Sequence, residues 1–318
     1  MNFKLILGKG EKCMELSNLT TEKRNQASTN LDQMATMEIL QTINKEDKTV
    51  ADAVEMVLPT VNVVVEKIVE SLNKGGRLFY IGAGTSGRIG MMDASECPPT
   101  FLTDPETVQT VMSGGNNAFF RAVENAEDNE QQGELDLKLK NLTKNDVVIG
   151  ITASGRTPYP IGGIKYAKTN GAYTVGLSSN KNSLINDYTD QGIEVVVGPE
   201  VLTGSTRMKA ATAHKMILNM ISTTVMVKLG KVYQNLMVDV NASNYKLRER
   251  AKIIVMEITN ESYEKAEEIL NQTNFEVKPA IVMCQTNSTY QEALVALEEC
   301  KGNVRKTISY LFNKKMER

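Results

Sequence analysis

The chain has 318 residues, 41% hydrophobic and 23% charged, a globular composition that excludes a disordered or fibrous protein. At this length one hydrophobic core rarely keeps growing, so more than one folding unit is expected. Lys and Arg number 36 against 38 Asp and Glu, a formal charge of -2, so no basic field draws the chain to nucleic acid or an anionic membrane, and an anionic ligand must be held by local geometry.

In chain order, Phe3-Lys4-Leu5-Ile6-Leu7 is too short for a secretory apolar region, and no stretch reaches the ~18–20 apolar residues of a membrane span. Cys13, Cys97, Cys284 and Cys300 form no C-x-x-C pair, which favours the cytoplasm. Residues 48–72 read as one amphipathic helix with Val50, Val54, Val57, Leu58, Val61, Val65, Ile68 and Leu72 on one side, and Pro59 placed to kink or divide it. Five β-branched or apolar runs, 77–81, 107–112, 146–151, 172–177 and 193–197, alternate with helical patterns, which implies βαβ units and a parallel sheet covered on both faces. Within that alternation, 116–140 reads as an acidic helical stretch. Residues 205–229 are apolar nearly all round, as in a helix buried between layers or subunits. Near Thr259-Asn260 the chain becomes polar and strand-poor, with short helical stretches at 263–271, 277–284, 290–299 and 304–312 separated by turn residues.

The clearest local signal is Gly82-Ala83-Gly84-Thr85-Ser86-Gly87, directly after the first strand. A dinucleotide-binding reading of this G-x-G-x-x-G run needs an acidic residue at the end of the second strand to hold the ribose. That strand instead runs into Met112-Ser113-Gly114-Gly115, and Asp104 and Glu106 precede it. The other reading is a phosphate cradle, in which backbone N–H groups and a helix N-terminus meet the anion and Thr85 and Ser86 add hydroxyls. Ala153-Ser154-Gly155-Arg156-Thr157-Pro158 repeats the design after the third strand, and Gly204-Ser205-Thr206-Arg207 opens the long apolar helix and brings Lys209. If the strand order is 2-1-3-4-5, the loops after strands one and three flank one crevice. Ser and Thr at helix starts are ordinarily N-caps, but three hydroxyl-rich loops after strand ends suit a phosphorylated small molecule.

Glu96 lies in Ala94-Ser95-Glu96-Cys97-Pro98-Pro99-Thr100, just before a Pro-Pro stop, and Glu127 in Glu124-Asn125-Ala126-Glu127-Asp128 on the helix after strand two. Such clusters are usually solvated acidic faces. The single histidine, His214, argues against zinc and against a Ser-His-Asp triad unless it is the base, which leaves carboxylates as general acid–base groups. His214 itself reads as buried and hydrogen-bonded inside the apolar helix, and Cys97 as a small buried hydrophobe.

Taken together, Thr21-Glu22-Lys23-Arg24-Asn25, Gly75-Gly76-Arg77, the Gly82 to Arg88 loop, Asp93 to Thr100, Ala153 to Tyr159, Gly198-Pro199-Glu200, Gly204 to Lys209 and Asn235-Leu236-Met237-Val238-Asp239-Val240 closely resemble the N-acetylmuramic acid 6-phosphate etherase family. The match runs in order over nearly the whole chain. The resemblance implies an α/β fold, a three-layer αβα sandwich with a five-stranded parallel sheet of the sugar isomerase type, plus a small C-terminal helical domain. It divides the chain into an N-terminal helical dimerisation segment (1–47), a phosphosugar-binding α/β domain (48–258) and a ubiquitin-associated-like three-helix domain (259–318). It implies a homodimer, no metal or organic cofactor, and cleavage of the lactyl ether of a phosphorylated amino sugar, N-acetylmuramic acid 6-phosphate, to N-acetylglucosamine 6-phosphate and D-lactate.

By motif, the resemblance places the catalytic carboxylates at Glu96 and Glu127. The loops then supply Gly84, Thr85, Ser86, Ser154, Gly155, Thr157 and Ser205 for phosphate and substrate, with charge from Arg207 or Lys209. The chain departs from the family's usual pattern at Asn125, where glycine is common, and at Ala211, where Ala-Gly-Thr usually follows Met-Lys. In the ring-opened sugar, C3 is β to the C1 aldehyde, so removal of the C2 proton drives elimination of lactate and water then adds at C3. Glu96 would protonate the ether oxygen and later activate water, and Glu127 would serve C2 or ring opening. Two other functions fit the same domain: a phosphosugar aldose–ketose isomerase, and a non-catalytic phosphosugar sensor like the glucokinase regulatory protein.

Overall fold

A computed structural model describes residues 19–121, 123, 125–240 and 242–316; the Phe3 to Leu7 run, Cys13 and Glu124 lie outside them. Three short 3-10 turns, Thr20–Glu22, Gln26–Ser28 and Leu31–Gln33, lead into α1 (Thr36–Asp47), α2 (Thr49–Glu55) and α3 (Leu58–Asn73). The amphipathic stretch at 48–72 is therefore two helices. Pro59 falls in the first turn of α3, where its missing N–H leaves no intrahelical bond unmade.

The sheet region follows as β1 (Leu78–Gly82), α4 (Gly84–Phe101), β2 (Val108–Met112), α5 (Asn117–Phe120), a 3-10 turn at Ala126–Asp128, α6 (Glu130–Lys138), β3 (Val147–Ile151), α7 (Pro158–Thr169), β4 (Tyr173–Ser178), a 3-10 turn at Leu184–Tyr188, β5 (Gln191–Glu194) and α8 (Lys209–Lys228). Three local expectations change here. The acidic stretch at 116–140 is broken rather than continuous, because Asn125 takes the left-handed conformation (φ 60°) that no helix interior accepts. The Pro-Pro pair does not stop α4, which continues through Pro98 and Pro99 to Phe101. The fifth strand ends at Glu194 rather than Val197, since its partner β4 ends at Ser178, the residue paired with Glu194.

The five strands lie in the order β2-β1-β3-β4-β5, and the β1–β3, β3–β4 and β4–β5 pairs are parallel. Pleating sends alternate residues to opposite layers. Phe79, Ile81 and Val148 pack with Leu137 of α6 and Tyr159, Ile161 and Ile164 of α7 in one buried cluster. Tyr80, between Phe79 and Ile81, points the other way, and its hydroxyl donates to Asp93 on α4 at 2.8 Å. Helices thus cover both faces, and the sheet is the middle layer of an αβα sandwich of the sugar isomerase type. At about 25 cal/mol per Å² of apolar surface, each fully buried Ile or Leu contributes about 1.5–3 kcal/mol, so these two layers carry most of the domain's stability.

The chain divides into two compact units, one of residues up to 93 with 109–219, the other of 94–108 with the chain from 220 on. The second unit holds the short hairpin β6 (Val232–Tyr233) and β7 (Leu236–Met237), then α9 (Tyr245–Thr259), α10 (Tyr263–Gln272), α11 (Val277–Thr286), α12 (Tyr290–Glu299) and α13 (Val304–Met316). Ala251, Ile254 and Val255 of α9 share one core with Leu270, Ile281, Leu297 and Leu311. The helical core therefore begins upstream of Thr259, where composition alone put the boundary. No helix of the described residues is long and apolar enough to cross a membrane.

Gly155 has φ +74°, and a Cβ there would collide with the Ser183 side chain; Gly75 has φ +76° with open space around it. Gly155→Ala is expected to cost about 2–4 kcal/mol of unfolding free energy in urea titrations, from backbone strain and overpacking together. Gly75→Ala carries the strain alone and should cost about 1 kcal/mol.

Candidate functional site

The strand order reverses at β1, with β2 on one side and β3 on the other, so the connections leaving β1 and β3 diverge and open a crevice beyond the carboxyl ends of the strands. Gly87 lets α4 begin this close to β1: a Cβ there would lie 2.8 Å from the Gly82 carbonyl oxygen. The crevice holds a cavity of about 330 Å³, and Thr85 and Ser86 from the first turn of α4 line it together with Ser154 and Thr157 from the loop after β3. A neighbouring lobe of about 220 Å³ shares Ala83, Gly84 and Glu127 with it.

The hydroxyls are not spent as helix caps. Thr157 occupies the N-cap position of α7 without making a capping bond, and its Oγ1 lies 2.7 Å from Thr152 Oγ1 instead. Thr152 Oγ1 is also 3.3 Å from Ser154 Oγ, which accepts from the Arg156 N–H at 3.2 Å. This chain of hydroxyls at the N-terminus of α7 faces the first turn of α4 across the cavity, two helix starts whose N–H groups favour an anion.

The third loop contributes differently from its sequence reading. Gly204 and Thr206 line the cavity, while Ser205 and Arg207 do not, and Arg207 is exposed. Lys209 is only 2% exposed, with its ammonium 2.6 Å from Glu46 on α1. Burial alone would raise the Glu46 carboxyl, but hydrogen bonds from Lys209 and Asn25 and the lysine's charge outweigh it and hold the group below its ordinary range. Glu200, also buried, accepts the Lys209 and Ala210 N–H groups at 2.9 Å each and so caps α8, a task usually given to Ser or Asp. Gly155 lies behind Ser154 against Ser183 rather than in the cavity wall.

Two residues reach the cavity that residue-level reasoning did not place there. Thr21 is buried, and Asn180 Nδ2 donates both to Thr21 Oγ1 at 3.1 Å and to the Ala153 carbonyl at 3.0 Å. The clamp sets Glu22 at the cavity rim beside Gly204. Only the Thr21 to Asn25 motif signalled this, since no local pattern announces a contact across 159 positions. His214, the second, forms part of the wall, 1% exposed, with Nε2 3.0 Å from Ser179 Oγ. Burial pushes its pKa down to about 4, only partly opposed by a hydrogen bond to the Ser178 backbone, so the ring is neutral near pH 7.

Of the two expected carboxylates, Glu127 is the one among the lining residues. Glu127 lines both lobes from the 3-10 turn that follows Asn125. The left-handed φ at Asn125 gives glycine a reason to be common there, and asparagine is the side chain that tolerates it best. Glu96 is exposed on α4, twelve residues beyond Gly84, about 18 Å of helix rise, and is not among the residues lining either lobe. Ala211, the other departure from the family pattern, adds its methyl to the cavity wall, and Cys97 is buried and in no disulfide.

An unfolded chain protonates His214 near pH 6.5, whereas the folded chain resists until about pH 4. Its contribution to stability is therefore fully present above pH 6.5 and is lost as pH falls from 6.5 toward 4, by about 1.4 kcal/mol per pH unit. The Glu46 carboxyl, held below its ordinary value of 4.5, adds its own loss as pH falls from that value downward. Urea titrations between pH 6 and 5 should show a slope about one proton shallower in His214→Gln than in the parent; parallel curves would mean the ring is not held neutral.

A family model of the glucokinase regulatory protein N-terminal SIS domain matches residues 60–168, and the SIS domain model matches residues 115–227. N-acetylmuramic acid 6-phosphate etherase 1 of Bacillus licheniformis is 55% identical over 294 residues, covering 92% of this chain and 97% of that protein. The N-acetylmuramic acid 6-phosphate etherases of Bacillus pumilus and Bacillus subtilis are each 53% identical, over 296 and 297 residues, covering 93% of this chain and 98% of theirs.

Proposed function

The chain belongs to the N-acetylmuramic acid 6-phosphate etherase family and is an enzyme of that type, and on that premise we propose how its cleft performs the reaction. The observation that carries the reading is the meeting of Thr85, Ser86, Ser154 and Thr157 with the Glu127 carboxylate in one cavity. The 6-phosphate sits among the four hydroxyls at the N-termini of α4 and α7, and binding energy from that remote end positions C2 and C3 of the sugar.

With the ring open, a carboxylate takes the C2 proton, the C3–O bond breaks, and an acid delivers a proton to the departing lactyl oxygen. Water then adds across the unsaturated aldehyde, its hydroxyl to C3 and a proton to C2, giving N-acetylglucosamine 6-phosphate and D-lactate. Glu127 is the base at C2. Glu96 is the acid, as the family motif implies, and in a homodimer it serves the cleft of a second copy. Cys97, Cys284 and Cys300 form no disulfide, which fits a reducing compartment, the cytoplasm.

Incubation with N-acetylmuramic acid 6-phosphate should release D-lactate, and the unphosphorylated sugar should react at least ~100-fold more slowly in kcat/KM, the worth of the lost anchor. In deuterated water, Glu127→Gln should lose label incorporation at C2; retained exchange removes it as the base. Neither Glu96→Gln nor Glu127→Gln should turn over alone. If Glu96 acts across a dimer, mixing and re-equilibrating the two variants restores about a quarter of the parent activity, because half of the dimers then carry one intact site of two. No recovery on mixing places both groups on one chain.

A further inference from the structure

The substrate carries two anions, and the hydroxyl-lined cavity accounts for only one. The second lobe is chemically different. Arg88 lines it, with Met112, Ala118 and Val123 forming an apolar wall and Ser113 contributing a buried hydroxyl. Ser113 is 4% exposed, and its Oγ has no hydrogen-bond partner among the described residues. A buried polar atom left unpaired costs about 1–3 kcal/mol, so a wall that keeps one is prepared for a group that arrives from outside.

Arg88 is fixed rather than loose. Its Nε donates to the Phe119 carbonyl at 3.1 Å and its Nη2 to the Ala118 carbonyl at 2.9 Å, both at the end of α5. These two bonds hold the guanidinium plane and leave the rest of its donor fork for a planar anion. No Lys or Arg lines the larger cavity among the described residues, so the two lobes divide the anions by kind: dipoles and hydroxyls for one, a charged fork for the other. Glu127 borders both, which puts the base between the two anchors.

We propose that the Arg88 and Ser113 lobe is the subsite for the lactyl carboxylate, with the methyl of the lactyl group against Met112 and Ala118. The assignment rests on the etherase reading given above and adds what separates this cleft from one that handles sugar phosphates alone. A carboxylate held by a rigid fork stays in place while its ether oxygen becomes the leaving group. The same contacts release it as free D-lactate only after C3–O cleavage. Arg88 is then a residue for substrate positioning and specificity, while proton transfer stays with the glutamates.

The test compares Arg88→Met and Ser113→Ala with the parent enzyme on three ligands: N-acetylmuramic acid 6-phosphate, its analogue with the lactyl carboxylate converted to a carboxamide, and N-acetylglucosamine 6-phosphate as a competitive inhibitor. Arg88→Met should lower kcat/KM about 100-fold for the acid substrate, and Ser113→Ala about fivefold. Neither should lower it more than about twofold further for the carboxamide. Inhibition by N-acetylglucosamine 6-phosphate, which lacks the lactyl group, should stay within about twofold of the parent in both variants. Equal losses on acid and carboxamide, or a matching loss of inhibitor binding, would overturn the assignment. Because Arg88 also braces α5, Ser113→Ala provides the variant that removes no packing, and unchanged discrimination in it and in a folded Arg88→Met sinks the subsite. A parent enzyme that releases no D-lactate instead sinks the etherase reading itself.

Discussion

Everything the cleft does follows from one constraint of chain geometry: β1 has its neighbours β2 and β3 on opposite sides, and each is reached by its own crossover. Parallel strands cannot be joined by tight turns, so helices must run back over the sheet, and at the point where their direction of progress reverses no connection fills the gap. The helix starts that border the gap point their N–H groups into it. A fold made to bury two apolar faces of a sheet thus leaves a polar, positively polarised notch at one edge, and the hydroxyls of Thr85, Ser86, Ser154 and Thr157 complete it.

Among the described residues no Lys or Arg lines that notch. Lys209, the lysine nearest the third loop, is turned inward and neutralised by Glu46, and Glu200 satisfies the first N–H groups of α8. Losing one partner of such an enclosed pair would leave a charge stranded, which commonly costs 3–5 kcal/mol where both are deeply buried and less here, since Glu46 keeps some contact with water. The near-neutral composition of the chain is therefore mirrored within its first unit, where the Lys209–Glu46 pair pins α1 to the start of α8.

Much of the sheet domain was legible from sequence because parallel strands buried on both faces are continuous apolar runs, and four of the five were placed to within a residue or two. The fifth was misjudged at its end because strand length is set by the partner, which periodicity does not see. The same blindness hid the division of 48–72, where only the placement of Pro59 spoke, and the break at Asn125, where the left-handed backbone answers to the loop's path and not to any propensity. At the site, hydroxyl loops were visible as local patterns, and Glu127 as part of a motif. At Lys209 the sequence shows a cation near a loop but not the carboxylate of Glu46 on α1 that pairs with it. Glu22 and His214 reach the cavity through contacts set by tertiary structure alone.

The clamp between Thr21 and Asn180 joins positions 159 residues apart. During synthesis the N-terminal segment emerges first, yet its docking surface does not exist until β4 and the turn after it have left the ribosome. Closing so long a loop carries an entropic cost that only an already assembled sheet can repay. The Thr21 side of the rim therefore closes only against strands that are themselves in place. Closure of the pocket thus depends on a scaffold that is already secure.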